Sequence, residues 1–165
     1  MSAMFIASLM GKNRPGLLKD LAEKTHEVGG KWLTSKVNHL DDQISALIKI
    51  ALPETQVQPL KDIFSAEPAM CVVFSDGDIE TAPSTLMEMV VDANDRAGLV
   101  NEITQMLDNE CVELVDMDCQ RVGIAELGRS VFTARLKLKV PNGHNGEKLA
   151  EDLERIAGDM VVTVV

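Results

Sequence analysis

The two halves of this chain repeat each other, and this repeat constrains the fold more than any other feature. Residues 12–18 (KNRPGLL) match residues 94–100 (NDRAGLV) at a spacing of 82 residues. Residues 46–53 (ALIKIALP) match residues 134–141 (ARLKLKVP) at a spacing of 88, so the second half holds six extra residues, which we expect at 123–128. A repeat of this length is too long for a solenoid unit, and two copies are too few for an array. We therefore predict two copies of one small domain within the 165 residues.

The spacing of apolar residues predicts the same order of elements, β-α-β-β-α-β, in each half. Strands are predicted at 3–10, 32–40, 43–52 and 70–74 in the first half, and at 86–93, 112–122, 131–140 and 160–165 in the second. The predicted helices begin at Pro15, Pro53, Gly98 and Gly146. This order is typical of the α+β ferredoxin-like sandwich, in which two helices cover one face of a four-stranded antiparallel sheet.

The polar stretch between the halves has the composition of a domain boundary, because it carries Gly77 and Pro83 among acidic residues. We predict a first domain at 1–75, a linker at 76–84 and a second domain at 85–165. Each domain is near the size at which an isolated core is only marginally stable. We therefore expect the domains to pack on each other or on a second chain.

Composition narrows the range of partners. The net charge of −10, with a single Trp and no Tyr, argues against nucleic-acid binding, which needs clustered positive charge and, in this fold, aromatic residues on the sheet. The first residues lack a signal-peptide pattern, and no apolar run reaches the roughly 20 residues that span a bilayer, so we expect no membrane association. Three scattered cysteines fit a reducing compartment, and we expect a cytoplasmic protein. We interpret Cys111 and Cys119 as small buried apolar residues.

The sequence shows no arrangement typical of a catalytic or metal centre. The histidines, His26, His39 and His144, stand apart from any nucleophile pattern, and we interpret them as ordinary surface or boundary residues. No spacing fits a metal site, so we predict no metal, no cofactor and no catalytic residue. One enzyme alternative stays open. Acyl phosphate hydrolases of this fold use an Arg-bearing loop with a nearby Asn, which Arg14 and Asn13 offer in part.

The loop between the first strand and the first helix of each half is the best candidate for a binding site. Both loops carry polar residues, an Arg, then Pro or Ala, then Gly before the helix. The glycine permits a tight turn, and the helix N-terminus offers unpaired N–H groups with partial positive charge. Such a loop suits a small carboxylate, such as that of an amino acid, whose amino group Asn13, Asn94 or Asp95 could receive. The alternative is that Pro15 and Gly16 only start a helix, as turn residues commonly do.

These loops resemble that of the ACT domain, whose usual motif is Asp-Arg-Pro-Gly-Leu. The first loop is Asn13-Arg14-Pro15-Gly16-Leu17, with Asn for the usual Asp. The second is Asn94-Asp95-Arg96-Ala97-Gly98-Leu99, with Ala for the usual Pro. The resemblance covers almost the whole chain. Two ACT domains without a catalytic or DNA-binding domain resemble the glycine cleavage system transcriptional repressors, and residues 30–36 (GKWLTSK) are similar to the start of the second strand in that group.

The resemblance implies regulation by binding rather than catalysis. A small ligand, with glycine or another amino acid as the first guess, is expected at the two loops. The second strands are expected to pair side by side through Leu33, Thr34, Ser35 and Lys36 in the first domain and Leu114, Val115, Asp116 and Met117 in the second. The protein is expected to form a homo-oligomer such as a dimer and to act on transcription through a separate regulator protein, without contacting DNA itself. A regulatory subunit of an amino-acid metabolic enzyme is the remaining alternative.

Overall fold

The computed structural model describes residues 1–77 and 83–165, and the chain divides into two compact units, Met1–Ile79 and Glu80–Val165. The first unit contains β1 (Ser2–Lys12), α1 (Leu17–Glu27), β2 (Lys31–Leu40), β3 (Gln43–Pro53), a 3₁₀ turn (Glu54–Gln56), α2 (Val57–Ser65) and β4 (Met70–Asp76). The second contains β5 (Ser84–Asn94), α3 (Leu99–Asn109), β6 (Glu113–Ile124), a 3₁₀ turn (Ala125–Leu127), β7 (Arg129–Pro141), α4 (Gly146–Glu154) and β8 (Val161–Val164).

Each unit holds one four-stranded sheet whose neighbouring strands are antiparallel. The strand order is β2-β3-β1-β4 in the first unit and β6-β7-β5-β8 in the second. The first and third strands of each unit are therefore central, and the second and fourth are edges. The predicted α+β class, with two ferredoxin-like sandwiches, is confirmed.

A buried core lies between each sheet and its two helices. Strand residues alternate between the two faces of a sheet, whereas helix residues return to one face every three or four positions. The first core includes Phe5, Ala7, Leu9, Ile44, Ile48, Leu17, Leu21, Leu60 and Phe64. The second includes Met89, Val91, Leu136, Leu138, Leu99, Ile103, Leu107 and Leu153. The intervening strand residues form the opposite face of each sheet.

The helices of the two loops begin one or two residues later than predicted. Gly16 is the N-cap of α1 with φ of 76°, so the helix begins at Leu17 rather than at Pro15. Gly98 is the N-cap of α3 with φ of 88°, so that helix begins at Leu99. A residue in the left-handed conformation cannot continue a right-handed helix, so each glycine closes the loop before the helix starts.

The six extra residues of the second half lie in the hairpin between β6 and β7, as predicted. There β6 extends to Ile124, the 3₁₀ turn follows, and Gly128 reverses the chain with φ of 59°. In the first unit Asp41 and Asp42 alone join β2 to β3. Residues 78–82 of the predicted linker lie outside the described residues, so the predicted domain bounds stay a prediction.

The interpretation of Cys111 as a buried residue was wrong, whereas Cys119 is half-buried and packs against the second core. Cys111 is exposed, because it occupies the turn after α3 with φ of 56°, one residue before the inward-facing Val112. Cys119 is partly exposed, because β6 is an edge strand and lacks a neighbouring strand on one side within its sheet.

Candidate ligand-binding loops

The two predicted loops join the end of a central strand to the start of a buried helix. The first spans the residues between Lys12 and Leu17, and the second spans those between Asn94 and Leu99. In both loops the N-cap is a left-handed glycine, and no side chain among the described residues caps the helix. In α1 the Leu17 N–H donates to the Arg14 carbonyl oxygen at 3.4 Å, so an anion at this helix would be bound by the N–H groups that follow it in the first turn.

A backbone hydrogen bond holds each loop against the neighbouring hairpin. The Asn13 N–H donates to the Asp42 carbonyl oxygen at 2.8 Å, and the Asp95 N–H donates to the Ser130 carbonyl oxygen at 3.0 Å. Asn13 and Asp95 are matched at the spacing of 82, and Asp42 and Ser130 at the spacing of 88. The repeat in sequence is thus a repeat in hydrogen bonding.

The guanidinium of Arg14 lies between two carboxylates of its own domain. Its Nη1 donates to Asp20 Oδ2 at 2.9 Å, and its Nε donates to Glu67 Oε1. The Glu67 side chain is only 5% exposed. It lies 53 residues from Arg14 along the chain, so the fold brings the two side chains together. The hydrogen bond from Arg14 holds the pKa of Glu67 below its usual range, and the two carboxylates raise the pKa of Arg14 further above its already high value.

The guanidinium of Arg96 makes a simpler pairing in the second domain. Its Nη1 donates to Glu102 Oε1 at 3.1 Å and its Nη2 donates to Glu102 Oε2 at 2.5 Å. The side chains of Arg96 and Glu102 are 42% and 40% exposed. The hydrogen bond lowers the pKa of Glu102 and raises that of Arg96. Each arginine thus pairs with an acid six residues later, across the start of its helix.

The Nη1 atom of each arginine also donates a hydrogen bond to the loop backbone. In the first loop it donates to the Pro15 carbonyl oxygen at 3.2 Å, and in the second to the Ala97 carbonyl oxygen at 3.3 Å. Because both guanidiniums are engaged within their own domain, they shape the loops and hold the glycines in place. A ligand carboxylate at these loops would therefore meet the helix N–H groups first.

Two acidic side chains fix the start of the second loop. Asp95 Oδ1 accepts a hydrogen bond from Arg121 Nε at 2.7 Å, and Asp159 Oδ2 accepts one from the Asn94 N–H at 2.7 Å. Asp95 was predicted to receive an amino group, and it already neutralises Arg121. A ligand ammonium would compete with that guanidinium for the same carboxylate.

Sequence reasoning missed the residues that brace the loops. Asp20 and Glu102 follow their arginines at the same distance in both halves, so the repeat carried a signal that could have found them. Glu67, Arg121 and Asp159 lie far from their partners along the chain, and the sequence gives no local signal for those contacts.

The predicted interface strands are edge strands with a shared irregularity. β2 and β6 each lie at the edge of their sheet, and both shift register at matched positions, between Trp32 and Thr34 and between Leu114 and Asp116. The extra residues are Leu33, which is 44% exposed, and Val115. Ser35, Lys36 and Met117 continue these strands. An edge strand has unpaired backbone groups that can pair with another strand, and the side-by-side pairing stays a prediction.

A cleft of about 580 Å³ lies beside the first loop and was not predicted. It is bounded by Gly11 at the end of β1, by the hairpin of β2 and β3, and by the start of β4. Its walls combine apolar and polar residues: Met10, Leu40, Met70, Asn38, Gln43 and Ser45. The predicted residues Asn13 to Leu17 do not line it.

Neither a metal centre nor a membrane helix is found in the described parts of the chain. Within residues 1–77 and 83–165, no group of three or more His, Cys, Asp or Glu residues is arranged to hold a metal ion. In the same residues, no helix is long and apolar enough to cross a membrane.

Comparisons with known proteins bear on the fold of the chain. Residues 3–68 match the family model described as the ACT domain. No curated protein matches the sequence. A protein from Galdieria sulphuraria, described as unknown, has the same fold with a TM-score of 0.87 at 16% identity, over 99% of this chain and 98% of that one. A candidate glycine cleavage system transcriptional repressor matches with a TM-score of 0.69 at 14% identity, over 100% and 98%.

Identities this low show a shared fold. Residues 3–68 therefore match the ACT domain, and the chain has the fold of two such domains in tandem.

Proposed function

We propose that this protein is a non-enzymatic regulator that binds a small metabolite, an amino acid such as glycine, at its two loops. It then controls transcription by contacting a separate regulator protein. The observation that carries this proposal is the repeated loop. In both domains an arginine–carboxylate pair braces a left-handed glycine at the uncapped start of a buried helix.

The chemistry of the loops favours an amino-acid ligand. A carboxylate is stabilised by first-turn N–H groups and by the positive end of the helix dipole. The ammonium group of the same ligand needs oxygen acceptors nearby, which the side chains of Asn13, Asn94 and Asp95 can supply. The backbone at the glycines is open to a ligand, since a Cβ on Gly16 or Gly98 would meet only the acid that pairs with the arginine, at 4.0 Å or 3.8 Å.

The proposed mechanism is thermodynamic linkage between ligand and partner. A ligand that binds one arrangement of the domains better than another raises the population of that arrangement. A partner that prefers the same arrangement then binds more tightly in the presence of the ligand, by a factor that is equal in both directions. Such a protein needs no DNA-reading element of its own. We propose that it acts in the cytoplasm.

A thermal-unfolding screen against the common amino acids, including glycine and serine, tests the ligand. A ligand that binds only the folded state adds roughly 2.7 kcal/mol at about 100 times its dissociation constant. For a protein of 165 residues the midpoint should rise by about 5–10 °C. A selective rise identifies the signal, and a flat result across the panel contradicts amino-acid sensing.

Glycine substitutions test the site. Gly16→Ala and Gly98→Ala strain a left-handed N-cap without a steric clash, so the loop amides should reorient and the thermal shift should shrink or vanish. Gly128→Ala is the matched control, because Gly128 has φ of 59° with open space around it and lies at the tip of the hairpin, away from both loops. Equal thermal shifts in all three variants would reject the loops as the site.

Two other functions make different predictions. An acyl phosphate hydrolase would turn over acetyl phosphate or a related substrate and lose activity on Arg14→Ala, but Arg14 is already engaged by two carboxylates. A regulatory subunit of a metabolic enzyme would co-purify with that enzyme rather than with a transcription regulator. Capture of partners with and without the identified amino acid distinguishes these outcomes.

A further inference from the structure

The first sheet has an apolar face opposite its helices, which we call the outer face. Met4, Met10, Leu47 and Val73 lie on this face and are 39%, 61%, 51% and 59% exposed. Register places Leu47 and Val73 on either side of Ser8 in one row across the sheet. The half-buried Ile6 lies between Met4 and Met10 on the same side of β1. The exposed side chains therefore form one patch rather than isolated positions.

The second sheet carries charged residues at three of the matched positions, although Leu86, which is matched to Met4, is 59% exposed on the same face. Glu88 stands where the first sheet has Ile6, Asp92 where it has Met10, and Arg135 where it has Leu47. The Glu88 carboxylate lies 3.8 Å from the Lys137 ammonium on the same face. The same fold thus accepts charged residues in the second domain at the positions where the first has Ile6, Met10 and Leu47. The apolar side chains of the first outer face are therefore not required by the fold, and their exposure in water calls for another explanation.

The size of the outer face matches what a stable dimer buries. Four strands of about ten residues, spaced roughly 4.8 Å apart with a rise of about 3.4 Å per residue, cover about 600 Å² in projection. Two such faces in contact bury at least about 1,200 Å², which reaches the lower end of the range for specific interfaces. The face is also complementary to itself, because apolar side chains at its centre can meet the same residues across a two-fold axis.

We propose that the outer face of the first domain binds the outer face of the first domain in a second copy of this chain. The two sheets pack face to face, with Leu47, Val73 and Met10 at the centre. Lys36 and Lys49 share the face, and the methylene groups of both side chains can add apolar contact.

Arginine substitutions on the two sheets test the proposal. Leu47→Arg and Val73→Arg each place a charge in the centre of the proposed interface. Arg135 shows that the fold accepts arginine at the position matched to Leu47. Thr163→Arg is the matched control, because Thr163 occupies the equivalent place in the second sheet. Thr163 lies on edge strand β8 and pairs with Val90 of β5, just as Val73 lies on edge strand β4 and pairs with Ser8 of β1. Thermal unfolding and circular dichroism establish that each variant is folded.

Sedimentation velocity over a wide range of protein concentration gives the readout. We expect the wild type to be a dimer. Leu47→Arg and Val73→Arg should each raise the dissociation constant of the dimer by at least about 100-fold, because each variant dimer would bury two unpaired charges. Thr163→Arg should leave the dissociation constant unchanged. A monomeric wild type overturns the proposal and leaves the face to another protein. A dimer that survives both substitutions also overturns it and points to the edge strands. Amino-acid binding by the monomeric variants is measured separately, so failure of this interface does not bear on the loops.

Discussion

The two loops have the same backbone design but are braced in different ways. In the first domain the arginine reaches Glu67, a nearly buried acid that follows α2, as well as Asp20 at the start of α1. In the second domain Arg96 pairs with Glu102, and both side chains are exposed. Asp159, the acid that precedes the last strand, accepts a hydrogen bond from the loop backbone rather than from the arginine. The comparison teaches that the turn belongs to the repeated motif, whereas its stiffness depends on contacts that the repeat does not specify.

The difference extends to the strand that leads into each loop. An ideal Cβ on Gly11 would lie 2.1 Å from the Ala69 carbonyl oxygen, so the end of β1 approaches the connection before β4 very closely. The matched position in the second domain holds Ala93, which is buried. The first domain therefore packs its loop region more tightly against its own α2–β4 connection.

The largest effect is expected for Gly11→Ala. The new methyl group must displace the backbone at Ala69, which should destabilise the first domain by about 3 kcal/mol. Denaturant unfolding followed by Trp32 fluorescence reports on that domain, because Trp32 is the only tryptophan in the chain. The reciprocal Ala93→Gly should cost only about 1 kcal/mol in the second domain, through backbone entropy. Equal effects at the two positions would remove the proposed difference in packing.

A smaller effect is expected for Glu67→Gln. The amide keeps the shape of the carboxylate but loses the charge that pairs with Arg14. The first domain should therefore lose stability, but less than in Gly11→Ala, because the partner of this nearly buried acid is itself partly exposed. The fluorescence of Trp32 again follows the first domain. A wild-type-like midpoint would show that Asp20 alone is enough to hold Arg14.

The same pair predicts how stability depends on pH. Arg14 lowers the pKa of Glu67 in the folded state below its ordinary value of 4.5, so the pair stabilises the fold above that pH and the contribution is lost as the pH falls through the folded-state pKa. Acid titration of wild type should therefore show a loss of first-domain stability below about pH 4.5 that Glu67→Gln lacks. Parallel curves for the two proteins would contradict this role for Glu67.

The smallest effect is expected for Glu102→Gln. Because the Arg96–Glu102 pair is exposed and screened by water, its loss should change the stability of the second domain less than Glu67→Gln changes that of the first. Amide hydrogen exchange of α3 measures the effect within the second domain. A larger loss there than in the first domain would reverse the ranking of the two braces.

Much of the fold could be predicted from the sequence, because its signals are local. Alternating residues such as Phe5, Ala7 and Leu9 mark a strand with one buried face, and the repeat of 82 residues carries that assignment from one half to the other. The glycine in each loop was identified for the same reason. The helix start was placed too early because the sequence does not show that Gly16 is left-handed.

The contacts that brace the loops could not be predicted, because they join residues far apart along the chain. Arg14 was assigned to a ligand on its position alone, and only the fold brings Glu67 to it. Arg121 likewise reaches Asp95 from the edge strand β6. The contrast between the two outer faces was readable at the matched positions, since Leu47 and Arg135 differ in plain sequence, but its meaning depends on knowing which side of the sheet the helices cover.

The central claim is that the two loops bind an amino acid, and amide NMR spectra recorded during titration with each amino acid test it most directly. The account predicts that one amino acid shifts the backbone amides at the starts of α1 and α3, from Gly16 to Lys19 and from Gly98 to Asn101, and that the hairpin tip at Gly128 stays unchanged. Spectra that no amino acid alters, or shifts confined to the cleft beside Met10 and Met70, would contradict it.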